Sequence, residues 1–288
     1  MAFPQSAQAS LLRPGLPEDL AAKAAALAGR PASHRRVLIA YSGGVDSSMV
    51  AYAARQVLGR DGVLAVIADS PSLPRRELVE ALAFARDHDI QCKMVETNEG
   101  DEPGYIANTG ERCYFCKREL YTVLRESFSS GGFDAVLSGT NAEDVSDFRP
   151  GLKAAEEMKV ESPLLEAGLS KEDVRALSRA HGLETWNKPA LACLASRIPY
   201  GDEVSSDKLA QIEAAEEVLW NEGFRVFRVR HHGEVARLEI GGEELHRFKD
   251  LELKDRVCAG VRDTGFAMVG LDPEPYRSGR LNEVLEKK

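Results

Sequence analysis

No apolar stretch in this 288-residue chain approaches the roughly 20 residues that cross a bilayer. The N-terminus also lacks a charged start followed by a continuous apolar run and a cleavage site, so a cytoplasmic location is expected. Surplus positive charge is missing too. With 37 Lys and Arg against 46 Asp and Glu, the formal net charge is −9. Most of the surface therefore disfavours a polyphosphate backbone, and nucleic acid is not an expected partner. Cysteine is scarce, with five in all. That is too few at this length for a disulfide framework, and in a reducing compartment a close pair points to metal or redox chemistry. There is no internal repeat, and nothing is low in complexity beyond an Ala-rich N-terminus.

A hydrophobic content of 43% is enough to bury a real core. The length suits one large domain, or a medium domain with a smaller one, and the second arrangement is expected. Residues 1–36 form an N-terminal extension with a mildly amphipathic helix, Leu16 to Leu27, ended by Gly29 and Pro31. From Val37 the pattern alternates. The apolar run Val37 to Tyr41 reads as a buried strand, followed by a glycine turn and a helix from Asp46 to Leu58. Strands at Val63 to Ala68 and Gln91 to Glu96 follow, with a helix from Arg75 to Asp87 between them. A helix from Tyr114 to Ser127 and a strand at Ala135 to Ser138 complete a doubly wound parallel sheet over residues 37–200. Ser170 and Asp173 carry the spacing of a capping box. Residues 201–288 read as a smaller α+β domain, with a helix from Ser206 to Asn221 and strands at Phe224 to Arg230, Val235 to Ile240 and Phe266 to Leu271.

Ser42-Gly43-Gly44-Val45-Asp46-Ser47 lies where a strand ends and a helix begins, so unpaired backbone N–H groups and the positive helix end face one point. An anion belongs there. Gly43 and Gly44 admit phosphate oxygens close to the backbone, Ser42 and Ser47 add hydroxyl donors, and Asp46 can hold Mg²⁺. The Walker pattern with its terminal Lys-Ser/Thr is absent, which argues against ordinary P-loop γ-phosphoryl transfer. This stretch resembles the loop of the PP-loop ATP pyrophosphatases, which bind ATP and release pyrophosphate. Ala68 and Ser70, at the end of the second strand, are candidates for adenosine contacts, and Gly139 ends the fourth strand beside them. Glu143 and Asp144 either serve the magnesium or cap the next turn.

Cys113 and Cys116 form a C-x-x-C, and Cys193 lies far downstream. Thiolates at that spacing bind zinc, bind an iron–sulfur cluster or form a redox disulfide, and three cysteines on a [4Fe–4S] cluster leave one iron open to a group such as hydrosulfide. Cys92, in an apolar strand, and Cys258, beside Val257 and Val261, are expected in the core. Arg228 and Arg230 share one face of a strand, where they can meet a substrate phosphate, and Ser196 and Arg197 stand beside Cys193 to position a carboxylate.

Taken together, five blocks resemble the LarE family of sulfur transferases, which act in the synthesis of the nickel-pincer nucleotide of lactate racemase. They are Tyr41 to Ser47, Ala68 to Glu77, Arg112 to Lys117, Gly139-Thr-Asn141 through Arg149-Pro-Gly151, and Cys193 to Gly201. The resemblance runs from about Val37 to Asn282. It implies a PP-loop (HUP-like) fold and ATP with Mg²⁺ as cosubstrate and metal. It also implies adenylation of a carboxylate of pyridinium-3,5-biscarboxylic acid mononucleotide, followed by displacement of AMP by sulfur. Having Cys113 and Cys116 besides Cys193, the chain resembles the branch with a [4Fe–4S] cluster on three cysteines; the alternative is sacrifice of the Cys193 sulfur. The resemblance further implies a small-molecule nucleotide substrate and a homo-oligomer, dimer or hexamer. A tRNA thiolase is the rival reading, disfavoured by the acidic balance and by the lack of a recognisable RNA-binding module.

Overall fold

The computed structural model describes residues 11–144, 150–189, 192–277 and 279–281. Arg149 and Asn282, both named in the resemblance, lie outside them, as do residues 1–10 of the expected N-terminal extension. In chain order the first half holds α1 (Glu18–Ala32), β1 (Val37–Tyr41), α2 (Val45–Leu58), β2 (Val63–Asp69), α3 (Arg75–Asp87), β3 (Gln91–Glu96), α4 (Pro103–Ile106), α5 (Arg112–Phe128) and β4 (Ala135–Leu137). The second half holds α6 (Pro150–Glu157), α7 (Pro163–Glu166), α8 (Lys171–Ala180), α9 (Ser206–Asn221), β5 (Phe227–His232), β6 (Val235–Ile240), α10 (Leu251–Asp263) and β7 (Met268–Leu271). The chain divides into two compact units. The first comprises Met1–Ser70, Arg75–Glu99 and Cys113–Leu191; the second comprises Pro71–Pro74, Gly100–Arg112 and Ala192–Lys288.

In the first unit the sheet order is β3-β2-β1-β4, with every pairing parallel. Every residue of β1 is buried, which is why its sequence is continuously apolar rather than alternating. On one face Leu38, Ala40, Leu64 and Val66 pack on Leu120, Tyr121 and Leu124 of α5 and on Ala154 and Ala155 of α6. α2 packs against β1 and β2, and α1 packs against α2. The doubly wound α/β sheet expected from the alternation is present. Because β2 and β4 flank β1, the strand order reverses between β1 and β4, and open α/β sheets gather ligands at the strand ends beside such a point.

The second unit has a three-stranded sheet, β5-β6-β7, in which β5 and β6 are antiparallel and β6 and β7 parallel. Ala215, Leu219, Phe224, Val229, Leu238, Ile240, Phe248, Val257 and Val261 form its core under α9 and α10. Several boundaries differ from expectation by one or more residues, three of them for local reasons. The strand expected from Phe224 starts at Phe227, because the Arg225 and Val226 N–H groups donate to the Glu244 carboxylate (3.0 and 2.8 Å) instead of to a neighbouring strand. The last strand starts at Met268, after a turn in which the Ala267 and Met268 N–H groups both donate to the Glu234 carbonyl. α1 runs past Gly29 to Ala32 and contains Pro31 one residue from its end, where the hydrogen bond it removes and the clash of its ring are confined to the last turn. Cys92 and Cys258 are half-buried rather than fully enclosed, and burial pushes the Cys92 thiol up to about 11. Among the described residues no helix is long and apolar enough to cross a membrane.

Candidate functional site

Ser42, Gly43 and Gly44 follow β1 directly, and α2 begins at Val45. Gly43 sits at φ 71°, and a Cβ there would overlap the Ala81 Cβ on α3. Gly44 is the N-cap in extended backbone, and no side chain caps the helix. The first-turn N–H groups therefore keep their capacity for an anion. The two serines close the turn on itself: the Ser42 N–H donates to Ser47 Oγ (3.2 Å), and the hydroxyls lie 3.0 Å apart. Gly139, just beyond β4, approaches α2 so closely that a Cβ on it would lie 2.6 Å from Ser47 N. The turn after β1 and the turn after β4 thus meet at the point of strand reversal.

Asp46 stands at this turn with its two carboxylate oxygens in different environments. Oδ2 accepts from the Lys171 ammonium, whereas Oδ1 is buried and has no hydrogen-bond partner. Lys171 also donates its backbone N–H to Glu143 Oε1 (3.0 Å), so one residue at the head of α8 joins the two expected magnesium ligands. Asp144 serves the local turn, its Oδ2 accepting from the Asn141 N–H (3.1 Å). The Ser170 and Asp173 capping box is present and sets the start of α8, which places Lys171. Behind the glycines, Lys188 forms ion pairs with Glu77 (2.6 Å) and Glu80 (2.7 Å) and donates to the Gly43 carbonyl (3.4 Å). At the end of β2, Arg75 pairs with Asp69 and donates to the Ser70 carbonyl (2.6 Å); Ser70 is buried and Ala68 half-buried.

Cys113 and Cys116 lie in the first two turns of α5, one exposed and the other half-buried. In the second unit Cys193 is a free, half-buried thiol and is the N-cap of a short 3-10 turn, Leu194–Arg197. The Cys193 carbonyl accepts from the Ser196 N–H (2.9 Å) and from Arg197 Nη1 (3.0 Å). Arg197 is only 3% exposed and is committed elsewhere as well: Nε and Nη2 clasp Glu216 at 2.9 and 3.0 Å, and Nη1 also reaches the Ala192 carbonyl and Ser196 Oγ. Arg230 donates to the Ser196 carbonyl (2.7 Å) and makes two bonds to Glu239 Oε2 (2.8 and 2.6 Å).

Arg228 shares the sheet face of Arg230, as the period of two requires. It lies over the Tyr276 ring (4.9 Å) and donates to the Phe227 carbonyl (2.6 Å). Its pKa is lowered, first by burial and then by the charge of Arg197, with Arg230 adding to the effect and Tyr276 and Glu216 opposing it. An anion arriving beside these three arginines would relieve that repulsion.

Among the described residues no group of three or more His, Cys, Asp or Glu side chains is arranged to hold a metal ion. A cavity of about 600 Å³ in the second unit is lined by His232, Arg237, Asp272, Glu274 and Arg280 and contains none of the residues singled out from the sequence. Lys171, Lys188, Glu216 and Glu239 were not singled out. The sequence signal among them is the capping box preceding Lys171; Glu239 shares the face of Val235 and Arg237, opposite the core residues Ala236, Leu238 and Ile240, and carries none.

Residues 29–103 match the family model described as NAD synthase. The chain is 45% identical over 253 residues to an uncharacterized protein of Synechocystis, covering 88% of this chain and 94% of the relative. It is 38% identical over 268 residues to the pyridinium-3,5-bisthiocarboxylic acid mononucleotide synthase of Lactiplantibacillus plantarum, covering 93% and 96%. An uncharacterized protein of Methanocaldococcus jannaschii is 29% identical over 245 residues, covering 85% and 92%.

Proposed function

Because the chain belongs to the family of the pyridinium-3,5-bisthiocarboxylic acid mononucleotide synthases, we propose that it adenylates a carboxylate of the pyridinium dicarboxylate mononucleotide and converts it to a thiocarboxylate. The observation that carries this reading is the uncapped head of α2, set beside a carboxylate with one buried, unpartnered oxygen. A buried oxygen without a partner costs free energy until a ligand or ion supplies one. Magnesium fits there, with Asp46 Oδ1 and Glu143 as its holders, and would neutralise phosphate charge when bound. The turn of Ser42, Gly43, Gly44 and Ser47 holds the outer phosphates, and the ends of β2 and β4, with Ala68, Ser70 and Gly139, receive the adenosine.

With the outer phosphates held, the substrate carboxylate attacks the α-phosphorus. The bond to the bridging oxygen breaks, and pyrophosphate leaves with the electron pair. A carboxylate is a poor electrophile, but its mixed anhydride with AMP has a good leaving group. A sulfur nucleophile then adds to the acyl carbon, and AMP departs to leave the thiocarboxylate. Arg228 and Arg230 bind the substrate phosphate, while Ser196 and Arg197 keep the Cys193 segment in place.

For the sulfur, we propose that Cys113, Cys116 and Cys193 ligate a [4Fe–4S] cluster, which when loaded would supply an open iron for exogenous sulfide. The donor chemistry suits it, since thiolates ligate iron and none of the three cysteines is fully buried. One observation favours the alternative, sacrifice of the Cys193 sulfur. The Cys193 carbonyl accepts from an N–H and a guanidinium, and such polarisation favours removal of the Cα proton and β-elimination of a sulfur leaving group. The test of the whole reading is pyrophosphate release from ATP·Mg that requires the pyridinium dicarboxylate mononucleotide, with thiocarboxylate formed when sulfur is available. Release without that substrate, or none with it, overturns the reading.

A further inference from the structure

Asn108 is wholly buried and holds a left-handed backbone, φ 48°. A buried carboxamide is retained where its donors and acceptors are used. Its side-chain nitrogen lies at hydrogen-bond distance from three carbonyls of one irregular segment: Ile198 (3.3 Å), Pro199 (2.7 Å) and Asp202 (2.9 Å). With two protons for three acceptors, one of these bonds is shared. Its Oδ1 accepts from Arg112 Nη1, and the same guanidinium nitrogen donates to the Ala195 carbonyl (2.9 Å). Backbone bonds continue the seam, from Gly201 N to the Asn108 carbonyl (3.1 Å) and from Val204 N to the Ile106 carbonyl (3.0 Å). Arg112 is 4% exposed and lies beside the Tyr200 ring, 5.7 Å from its centroid.

All of these groups belong to the second unit, and the main-chain carbonyls that accept from the Asn108 and Arg112 side chains lie outside any helix or strand ladder, or at a 3-10 turn. Such carbonyls, when buried, need partners from elsewhere. The 3-10 turn after Cys193 is held at each of its residues. Leu194 N donates to the Ser72 carbonyl (2.8 Å), the Ala195 carbonyl accepts from Arg112, the Ser196 carbonyl accepts from Arg230, and the Arg197 side chain clasps Glu216. Of these holds, that of Arg112 is the one made by the buried pair with Asn108, and it reaches the turn two residues from the thiol.

We propose that Asn108 and Arg112 are positioning residues for Cys193: they template the segment from Ala195 to Asp202 and thereby fix where its thiol is presented. Neither side chain touches the thiol in any contact described above; both act through the backbone of the turn. The consequence for sulfur transfer rests on the proposed function, whereas the effect on the thiol does not.

The experiment uses the full chain with Asn108→Asp and Arg112→Lys. Asn108→Asp removes the amide donor while keeping the shape, and Arg112→Lys keeps the charge while losing the planar fork. Alkylation of each cysteine by iodoacetamide is followed by mass spectrometry, with Cys258 of the same unit as an internal reference. Cys193 is expected to react about tenfold faster in either variant, as local opening of a segment that loses a buried hydrogen bond allows, with Cys258 unchanged. Thiocarboxylate formation is expected to fall while the stabilisation of the protein by ATP persists.

Unchanged Cys193 labelling in Arg112→Lys overturns the proposal, and so does a parallel rise at Cys193 and Cys258, which marks general loosening. Should Asn108→Asp fail to fold, Arg112→Lys alone decides. If the native protein forms no thiocarboxylate, the sulfur-transfer reading falls, yet the labelling still decides the positioning role.

Discussion

Lys171 pairs its ammonium with the carboxylate of Asp46 across 125 residues of sequence, and leaves the other oxygen of that carboxylate buried and unpartnered. The pair balances the charge of Asp46, while the second oxygen stays available to a cation. Asp46→Ala is therefore expected to keep the fold, since the side chain is 20% exposed and stands at the turn rather than in the core. It is expected to cut substrate-dependent pyrophosphate release by about 100-fold or more, the scale of losing a preorganised electrostatic partner. A coupled pyrophosphate assay reads this directly, and near-native release from the variant contradicts the assignment of Asp46.

A second prediction concerns the contact between the turns after β1 and β4. Gly139→Ala places a methyl 2.6 Å from Ser47 N and 2.9 Å from Ser47 Cα, both backbone atoms that cannot rotate away. The cost is expected to be about 1–3 kcal/mol, as for overpacking elsewhere, and the displaced head of α2 should also lose affinity for ATP. Gly100→Ala is the control, because a Cβ there meets nothing within 4 Å. Urea midpoints, with and without ATP, separate the two variants; equal midpoints would show that the close approach has no energetic weight.

Local signals made much of the first unit legible. The run Val37 to Tyr41 is continuously apolar because β1 is covered on both faces, and the glycines that follow mark a turn only small residues can make. α3, β3, α9 and β6 have the limits read from the sequence, because each is bounded by turn residues and has a clear period or apolar run. Residues that act through distant partners were not legible. Lys188 reaches the Gly43 carbonyl from 145 positions away, and Glu216 and Glu239 acquire a role only when the sheet brings arginines to them. Nor does any local pattern show that Pro71–Pro74 and Gly100–Arg112 join the second unit, so nothing in the sequence points to Asn108 and Arg112 as partners of the segment after Cys193. Lys171 was within reach, directly after a capping residue whose geometry the sequence did specify.

The neighbouring arginines of β5 are expected to behave in opposite ways. Arg230 makes two bonds to Oε2 of Glu239, a carboxylate 1% exposed whose Oε1 is paired with Arg237 (3.0 Å), so Arg230→Met leaves one buried oxygen without its partners and should cost about 2–3 kcal/mol. Arg228 is held against burial and the charge of Arg197, so Arg228→Met removes a repulsion along with the side chain. Its stability should stay within about 1 kcal/mol of the native protein, while KM for the mononucleotide rises about tenfold or more through loss of a charge-assisted phosphate contact. Chemical denaturation and steady-state kinetics together test the contrast. Equal destabilisation by both substitutions would place the two arginines in one structural role.

The source of sulfur separates the two readings of Cys193 most sharply, because each leaves a different mark on the protein. If Cys113, Cys116 and Cys193 hold a [4Fe–4S] cluster, anaerobically prepared protein should be brown, should contain iron and sulfide, and should lose both on substitution of any of the three by Ser. The enzyme would then turn over repeatedly while sulfide is supplied. If Cys193 gives up its own sulfur, Cys113→Ser and Cys116→Ser should leave a single turnover intact, and mass spectrometry should find Cys193 short of one H₂S. The polarised Cys193 carbonyl favours that second course. Arg197→Lys, which keeps a positive charge near Glu216 but loses the fork that reaches the Cys193 carbonyl, should slow elimination more than adenylation. Under the cluster reading, the same substitution should act mainly through the position of a ligand, and iron content should fall with activity. Measuring iron, residue mass and pyrophosphate on one preparation of each variant therefore assigns the sulfur without relying on overall activity alone.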